Sequence, residues 1–233
     1  MKQKKLPKLQ IIGPVYNEEE VIEDFFNRLI KTLDTLKNKY RCQVMFVVDK
    51  STDDTILKLK KIAKVNKNVQ LLFLSSRFGH QMSLVAGMDH SDAEVTIMMD
   101  TDLQHPPELI PKFLYEYENG NDIVLGIRNI PADKSFFKRL SSNFFYKILN
   151  FFADIRLKTG EADFRLISRN VLTVFKSQIR EQNQFLRGLF SWVGFKKSLV
   201  HFNAEERYLG DSKYSWNKMF QFAGSGIISF SKK

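Results

Sequence analysis

The sequence predicts an α/β fold, a mainly parallel sheet flanked by helices, and two observations carry that prediction. Short apolar runs alternate with segments whose apolar residues recur at helical spacing, the pattern of repeated strand–helix units. The runs are apolar at nearly every position rather than every second one, as expected of strands covered on both faces.

Taken in order, Leu9–Ile12 reads as a strand stopped by Gly13-Pro14. From Glu18 to about Lys39, Val21, Phe25, Leu29 and Leu33 fall on one helical face, with Asn17 and Glu20 as a capping pair at its start. Val44–Val48 is a buried-type strand, and Asp53 is placed to cap a helix running to about Val65. There follow a strand Val69–Leu74, a helix near Gln81–Met88, a strand Val95–Met99, a helix from Pro107 and a strand Ile123–Leu125. In sheets of this kind ligands sit beyond the carboxyl ends of the strands. The polar residues just after each strand are therefore the candidates: Tyr16-Asn17-Glu18, Asp49, Arg77, Asp100 and Asp102. Neither a G-x-G-x-x-G nor a phosphate-loop lysine motif is present, which disfavours dinucleotide dehydrogenases and phosphate-loop ATPases.

At 233 residues the chain is long enough for one domain with an appendage. Its formal charge of +10 points to an anionic partner without choosing among nucleic acid, anionic lipid and phosphorylated substrate. The lone Cys42 excludes an intramolecular disulfide framework and suits a reducing compartment. No apolar run reaches the roughly 18 residues that would span a bilayer, and no signal-peptide pattern opens the chain, so a soluble or peripheral protein is expected. Of the 21 Phe residues, 15 follow Ile130, so the second half has a different character from the first.

The strongest local signal is Asp100-Thr101-Asp102-Leu103-Gln104-His105-Pro106-Pro107-Glu108. Two carboxylates one residue apart after a buried strand can hold a hard divalent cation between them and a diphosphate. Such an ion would neutralise charge growing on a departing nucleoside diphosphate. His80, His90 and His201 show no ligand spacing and read as structural or exposed; His105 differs in lying beside the paired carboxylates.

Pro14-Val15-Tyr16-Asn17-Glu18-Glu19, then Val48-Asp49-Lys50-Ser51-Thr52-Asp53, then the Asp100–Glu108 stretch resemble the ordered motifs of family 2 glycosyltransferases. Within that family the chain is most similar to the polyprenyl-phosphate glycosyltransferases, through Leu103-Gln104-His105-Pro106-Pro107-Glu108 and Asp163-Phe164-Arg165. Gly126-Ile127-Arg128, Arg187-Gly188 and Arg207–Tyr214 extend the likeness over nearly the whole chain. The resemblance implies a GT-A nucleotide-sugar fold, an inverting transfer from a UDP- or GDP-sugar to a polyprenyl phosphate, and Mg²⁺ or Mn²⁺ as cofactor.

Residue by residue, the resemblance implies that Pro14, Tyr16, Glu18 and Asp49 line the nucleoside pocket, and that Asp100, Asp102 and Gln104 hold metal and diphosphate. It implies that Arg207 and Lys213 reach the donor diphosphate, that Arg128, Lys138 or Arg139, and Ser142 face the acceptor phosphate, and that Asp163 lies near the transferred sugar. Asp163 reads either as a weak base or sugar-orienting group, or as a partner of Arg165. Two departures stand out. Val48 and Lys50 replace an acidic residue and a small residue of the usual motif, and Ser75-Ser76-Arg77-Phe78-Gly79 replaces Ser-Arg-Asn-Phe-Gly. A phosphate acceptor is already anionic at neutral pH, so the site must supply alignment and charge more than a base. Arginine suits that task because its planar fork donates two parallel hydrogen bonds.

Residues 1–130 are thus expected to form the nucleotide-sugar-binding core and 131–213 the acceptor-binding part of the same domain, with 214–233 a juxtamembrane segment. Residues 135–152 read as an amphipathic helix with Phe137, Leu140, Phe144, Ile148 and Phe151 on one stripe, and Tyr214–Phe230 is a second amphipathic candidate. Together they point to the cytoplasmic face of a membrane, and the resemblance implies transmembrane helices just beyond Ser231 in the native form. A homo-oligomer or a membrane subunit as partner stays open. The alternatives are a family 2 enzyme acting on a saccharide hydroxyl and a catalytically silent nucleotide-sugar-binding subunit. Nucleic acid is not expected, because the Phe residues fall in apolar stripes rather than on a stacking platform.

Overall fold

The computed structural model of the chain describes residues 6–129, 158, 160–181 and 184–205. The expected helix 135–152, the segment 214–233, and Lys138, Arg139, Ser142, Arg207 and Lys213 lie outside the described residues.

In chain order the described elements are β1 (Lys8–Val15), α1 (Ile22–Asp34), β2 (Arg41–Val48), α2 (Thr55–Val65), β3 (Val69–Phe73), α3 (His80–His90) and β4 (Val95–Met98). A 3₁₀ turn (Pro107–Leu109) leads into α4 (Ile110–Glu118), followed by β5 (Ile123–Arg128), β6 (Glu161–Ser168), α5 (Arg169–Ser177), α6 (Leu186–Trp192) and β7 (Lys197–Phe202). The strands form one sheet in the order β3-β2-β1-β4-β6-β5-β7. β1 to β4 are parallel, β6 is antiparallel to both of its neighbours, and β7 is parallel to β5. The strand β6 therefore comes late in the chain yet sits mid-sheet, joining residues on either side of position 130 into one scaffold.

Side chains alternate across each strand, and so does the core. Val44, Phe46 and Val48 join Phe25, Leu29, Phe113 and Phe164 on the side of α1, α2 and α4. Met45 and Val47 join Ile12, Leu84, Met98, Phe175 and Phe190 on the side of α3, α5 and α6. The helix α3 approaches closely because Gly87 carries no side chain: a Cβ there would lie 2.4 Å from Ile12 Cγ2.

Three local expectations are corrected. The strand β1 does not stop at Gly13-Pro14 but runs to Val15. Ile12 faces β4 and receives the Met99 amide, so Pro14 also faces that side, where β4 has already ended; its missing N–H breaks no ladder bond. Its carbonyl accepts from Thr101 Oγ1 instead, at 3.1 Å. The Asn17–Glu20 capping pair is absent: the helix begins at Ile22 after Val21, with no side-chain cap. Asn17 adopts a left-handed φ of 52° and exchanges hydrogen bonds with Thr52. The helix from Pro107 opens as a 3₁₀ turn before α4.

Arg28 on α1 makes a paired fork to Glu108 in the 3₁₀ turn and to Glu205 just past β7, with contacts from 2.7 to 3.0 Å. Hydrogen bonds to Glu205 and Glu108 raise its guanidinium further above its usual range.

Candidate active site

The carboxyl ends of β1, β2 and β4 and the amino end of the antiparallel β6 bring the predicted polar residues together. Asp49, just past β2, is buried, and its two oxygens accept the amides of Lys50, Phe78 and Gly79 at 2.9–3.1 Å. It thereby fixes the loop that leads into α3. Arg77 on that loop stacks over the Tyr16 ring, 4.0 Å from its centroid. The Glu18 amide donates to Thr55 Oγ1 at 2.8 Å, tying the end of β1 to the start of α2. Val48 is buried in the core on the α1 side, so no polar group reaches the site from that position.

The loop after β4 turns sharply through Leu103, at a left-handed φ of 64°. That turn folds Gln104 back on Asp102, whose Oδ1 accepts the Gln104 amide at 3.1 Å and whose Oδ2 accepts its side-chain nitrogen at 2.8 Å. His105 is buried, stacked on Phe164 at 5.3 Å and edge-on to Phe202 at 5.8 Å. Its Nδ1 accepts the Asp100 amide at 2.9 Å, which assigns its ring proton to Nε2. Burial pushes this imidazole below its ordinary pKa, so it is a neutral prop under the carboxylate.

Across the sheet, the β4–β6 register pairs Met98 with Arg165; carried on two residues, it sets Asp100 opposite Asp163. Asp163 and Arg165 project to the α6 side of β6 with Glu161. Asp163 accepts from Arg165 at 2.6 Å and from both ends of the Arg187 fork at 2.8 and 3.2 Å. Arg165 is fully buried and lies over the Phe190 ring at 4.7 Å. Burial works to raise Asp163, but Arg187 and Arg165 outweigh it and hold the carboxyl far below the usual range. An anion so held is a poor proton acceptor, which favours the ion-paired reading over the weak base. Glu161 is also buried, with one carboxylate oxygen unpartnered, and burial raises its pKa.

The histidines depart from expectation at one position. His80, at the start of α3, places Nε2 2.6 Å from Asp100 Oδ1 rather than being structural or merely exposed. Burial lowers its pKa but the charge of Asp100 raises it more, to about 9. For Asp100, burial acts upward, but the charge and hydrogen bond of His80 bring it below its ordinary value. Of the predicted acceptor residues only Arg128 is described, at the end of β5, where its amide donates to the Gly160 carbonyl at 2.8 Å.

The donor set at Asp100 and Asp102 is made of hard oxygens, as magnesium and manganese prefer. Among the described residues no group of three His, Cys, Asp or Glu side chains is placed to hold a metal ion alone. An ion here would take its remaining ligands from diphosphate and water, which fits a cation that arrives with a nucleotide.

Residues 10–175 match the family model described as Glycosyl transferase family 2, and the chain belongs to that family. It is 37% identical over 223 residues to the uncharacterized glycosyltransferase YkcC of Bacillus subtilis, covering 96% of this chain and 68% of that protein. It is 34% identical to the prophage bactoprenol glucosyl transferase homolog of Escherichia coli, covering 96% of this chain and 72% of the relative. Among solved structures it resembles glucosyl-3-phosphoglycerate synthase from Mycobacterium tuberculosis, with a TM-score of 0.61 at 14% identity, covering 96% of this chain and 78% of that one. At that identity the likeness shows the fold: a GT-A-like sheet flanked by helices, as expected from the sequence. The chain spans about two-thirds of the length of the curated relatives it matches.

Proposed function

We propose that the protein transfers a sugar from a nucleoside-diphosphate sugar to a polyprenyl phosphate, with inversion, at the cytoplasmic face of a membrane. The observation that carries the reading is Asp163. The carboxylate opposite Asp100 is locked between two arginines, so it is poorly suited to deprotonate a hydroxyl and well suited to a site whose acceptor is already ionised. The relative described as a bactoprenol glucosyl transferase homolog supports a lipid-phosphate acceptor. The solved neighbour in complex with Mn²⁺ and uridine-diphosphate-glucose supports a nucleotide-sugar donor.

In this reading Tyr16, Arg77, Pro14, Glu18 and the loop fixed by Asp49 form the nucleoside side, and Asp100, Asp102 and Gln104 the diphosphate side. A divalent cation, Mg²⁺ or Mn²⁺, supplies positive charge against the departing diphosphate when bound there. Arg128 is assigned to the acceptor phosphate, with Lys138, Arg139 and Ser142, and Arg207 and Lys213 to the donor diphosphate. Asp163 keeps the Arg187 fork oriented at the edge where the sugar would lie. Among the described residues no helix is long and apolar enough to cross a membrane. Attachment is assigned to the amphipathic candidates 135–152 and 214–230.

Glu161 favours the second reading, transfer to a saccharide hydroxyl, because a carboxyl whose pKa burial raises, on the same face of β6 as Asp163, is a better proton acceptor than the ion-paired Asp163. Turnover of UDP- and GDP-sugars with a short polyprenyl phosphate, and separately with saccharide acceptors, decides between the two. The expected result is cation-dependent transfer to the lipid phosphate, reduced about a hundredfold or more in Asp102→Asn. Transfer only to saccharides, abolished by Glu161→Gln, would overturn the lipid-phosphate reading.

A further inference from the structure

Asp100 already has an occupant. The ring of His80 lies two-fifths exposed at the mouth of the site, and its Nε2 is 2.6 Å from Asp100 Oδ1. The other oxygen, Oδ2, lies 3.6 Å from His105 Nδ1, but that nitrogen already accepts the Asp100 amide and has no proton to offer. At Asp102 the carboxylate is turned toward Gln104. Of the imidazoles beside Asp100, His80 is therefore the one that donates to its carboxylate.

We propose that His80 is a built-in competitor for the divalent cation: it holds Asp100 until the ion arrives and must swing off that oxygen for the ion to be seated. The inference rests on the reading of Asp100 and Asp102 as the cation's carboxylates. A Mg²⁺–oxygen bond is about 2.0–2.1 Å long, so an ion on Oδ1 competes with the ring nitrogen that lies 2.6 Å from the same oxygen. The ring gains little by becoming a ligand itself, since a hard ion in an oxygen set has small preference for imidazole, which suits softer metals.

The position of His80 in the chain gives the exchange a consequence. It follows Gly79, at a left-handed φ of 86°, and the amides of Phe78 and Gly79 are pinned to Asp49. One residue further back, Arg77 lies over Tyr16. Displacing His80 therefore acts on a loop anchored at the nucleoside side. Asp163 and Arg187, on β6 and α6, act on His80 with opposite charge. Cation loading and the setting of the nucleoside-side loop become one event.

The experiment is Mn²⁺ affinity of the full chain at one fixed pH in the presence of UDP or GDP, read from the electron paramagnetic resonance signal of the free ion and corrected for Mn²⁺ held by free nucleotide. Wild type, His80→Ala, His80→Gln and Asp102→Asn are compared after thermal melts show each to be folded. Removing a competing charge-assisted contact is expected to tighten Mn²⁺ about tenfold in His80→Ala, with His80→Gln between it and wild type, and Asp102→Asn losing the ion. In the wild type, Mg²⁺ titration is expected to shift the His80 imidazole ¹H–¹⁵N signals, a readout that needs no variant. Asp102-dependent binding that His80→Ala leaves unchanged or weakens, with no imidazole shift, would overturn the competition while leaving the cation site standing. Absence of Asp102-dependent binding from every form would overturn both.

Discussion

Replacing Arg187 with Met tests the most heavily constrained charge in the site. The substitution keeps the aliphatic stem but removes the fork that reaches both oxygens of Asp163, leaving Arg165 as the remaining ion-pair partner. The side chains of Asp163 and Arg187 are only 9% and 17% exposed, so water cannot take over the lost contacts fully. Breaking a buried pair costs about 3–5 kcal/mol when a charge is stranded. Because Arg165 stays, about 2–3 kcal/mol is expected here, a fall in melting midpoint of roughly 5–10 °C for a domain of this size. The pH dependence has a definite sign. Arg187 and Arg165 depress Asp163 in the folded state, so its contribution is present above the unfolded value of about 3.9 and declines as pH falls below it. The variant should lose stability at pH 7 and fall less steeply than wild type from about pH 4 downward. Urea titrations followed by far-ultraviolet circular dichroism at both pH values measure this. A loss under about 1 kcal/mol at pH 7, or an unchanged acid slope, would refute the claim that Asp163 is held ionised by Arg187.

Two further predictions concern the scaffold. Arg28→Ala removes the fork joining α1 to Glu108 and Glu205; both acids are about half exposed, so the cost should be about 1 kcal/mol and shrink in 1 M salt. Chemical denaturation by urea at low and high salt measures it, and a salt-independent loss would mean the contribution is packing rather than charge. Gly87→Ala should destabilise by about 1–3 kcal/mol despite the higher helix propensity of Ala, because the new methyl would meet Ile12 Cγ2 at 2.4 Å. Thermal melting decides that one, and a stabilised variant would show that α3 can draw away from β1 without cost.

How much of this was legible in sequence depends on whether the signal was local. The strands β1 to β5 were readable because each is a short run of apolar residues, and the helices α1 and α2 because their apolar residues share a face. The strand β6 was visible only as a motif. Its α6-side face carries Glu161, Asp163 and Arg165, and three charged residues at alternate positions do not look like the middle of a sheet. They are tolerated there because Asp163 and the two arginines offset one another's charge. The antiparallel insertion of β6 between β4 and β5 is a property of pairing, which no window of sequence reports.

The paired carboxylates illustrate the same boundary within the site. Their residue types and spacing were enough to expect Asp100 and Asp102 to act together, since both lie in one turn. The partners that set their behaviour come from elsewhere. His105 is close in sequence, yet its role as a neutral prop depends on Phe164 and Phe202, from β6 and β7, enclosing it. His80 is 20 residues away and meets Asp100 only because α3 begins at the same edge of the sheet where β4 ends. Asp49 shows the reverse: a residue expected to face a ligand spends both oxygens on the backbone of the loop that presents His80. The nucleoside side and the diphosphate side are thus joined by a continuous path, from Asp49 through Phe78 and Gly79 to His80 and Asp100. A substitution at Asp49 should then register at the cation carboxylates, although the two lie on different strands.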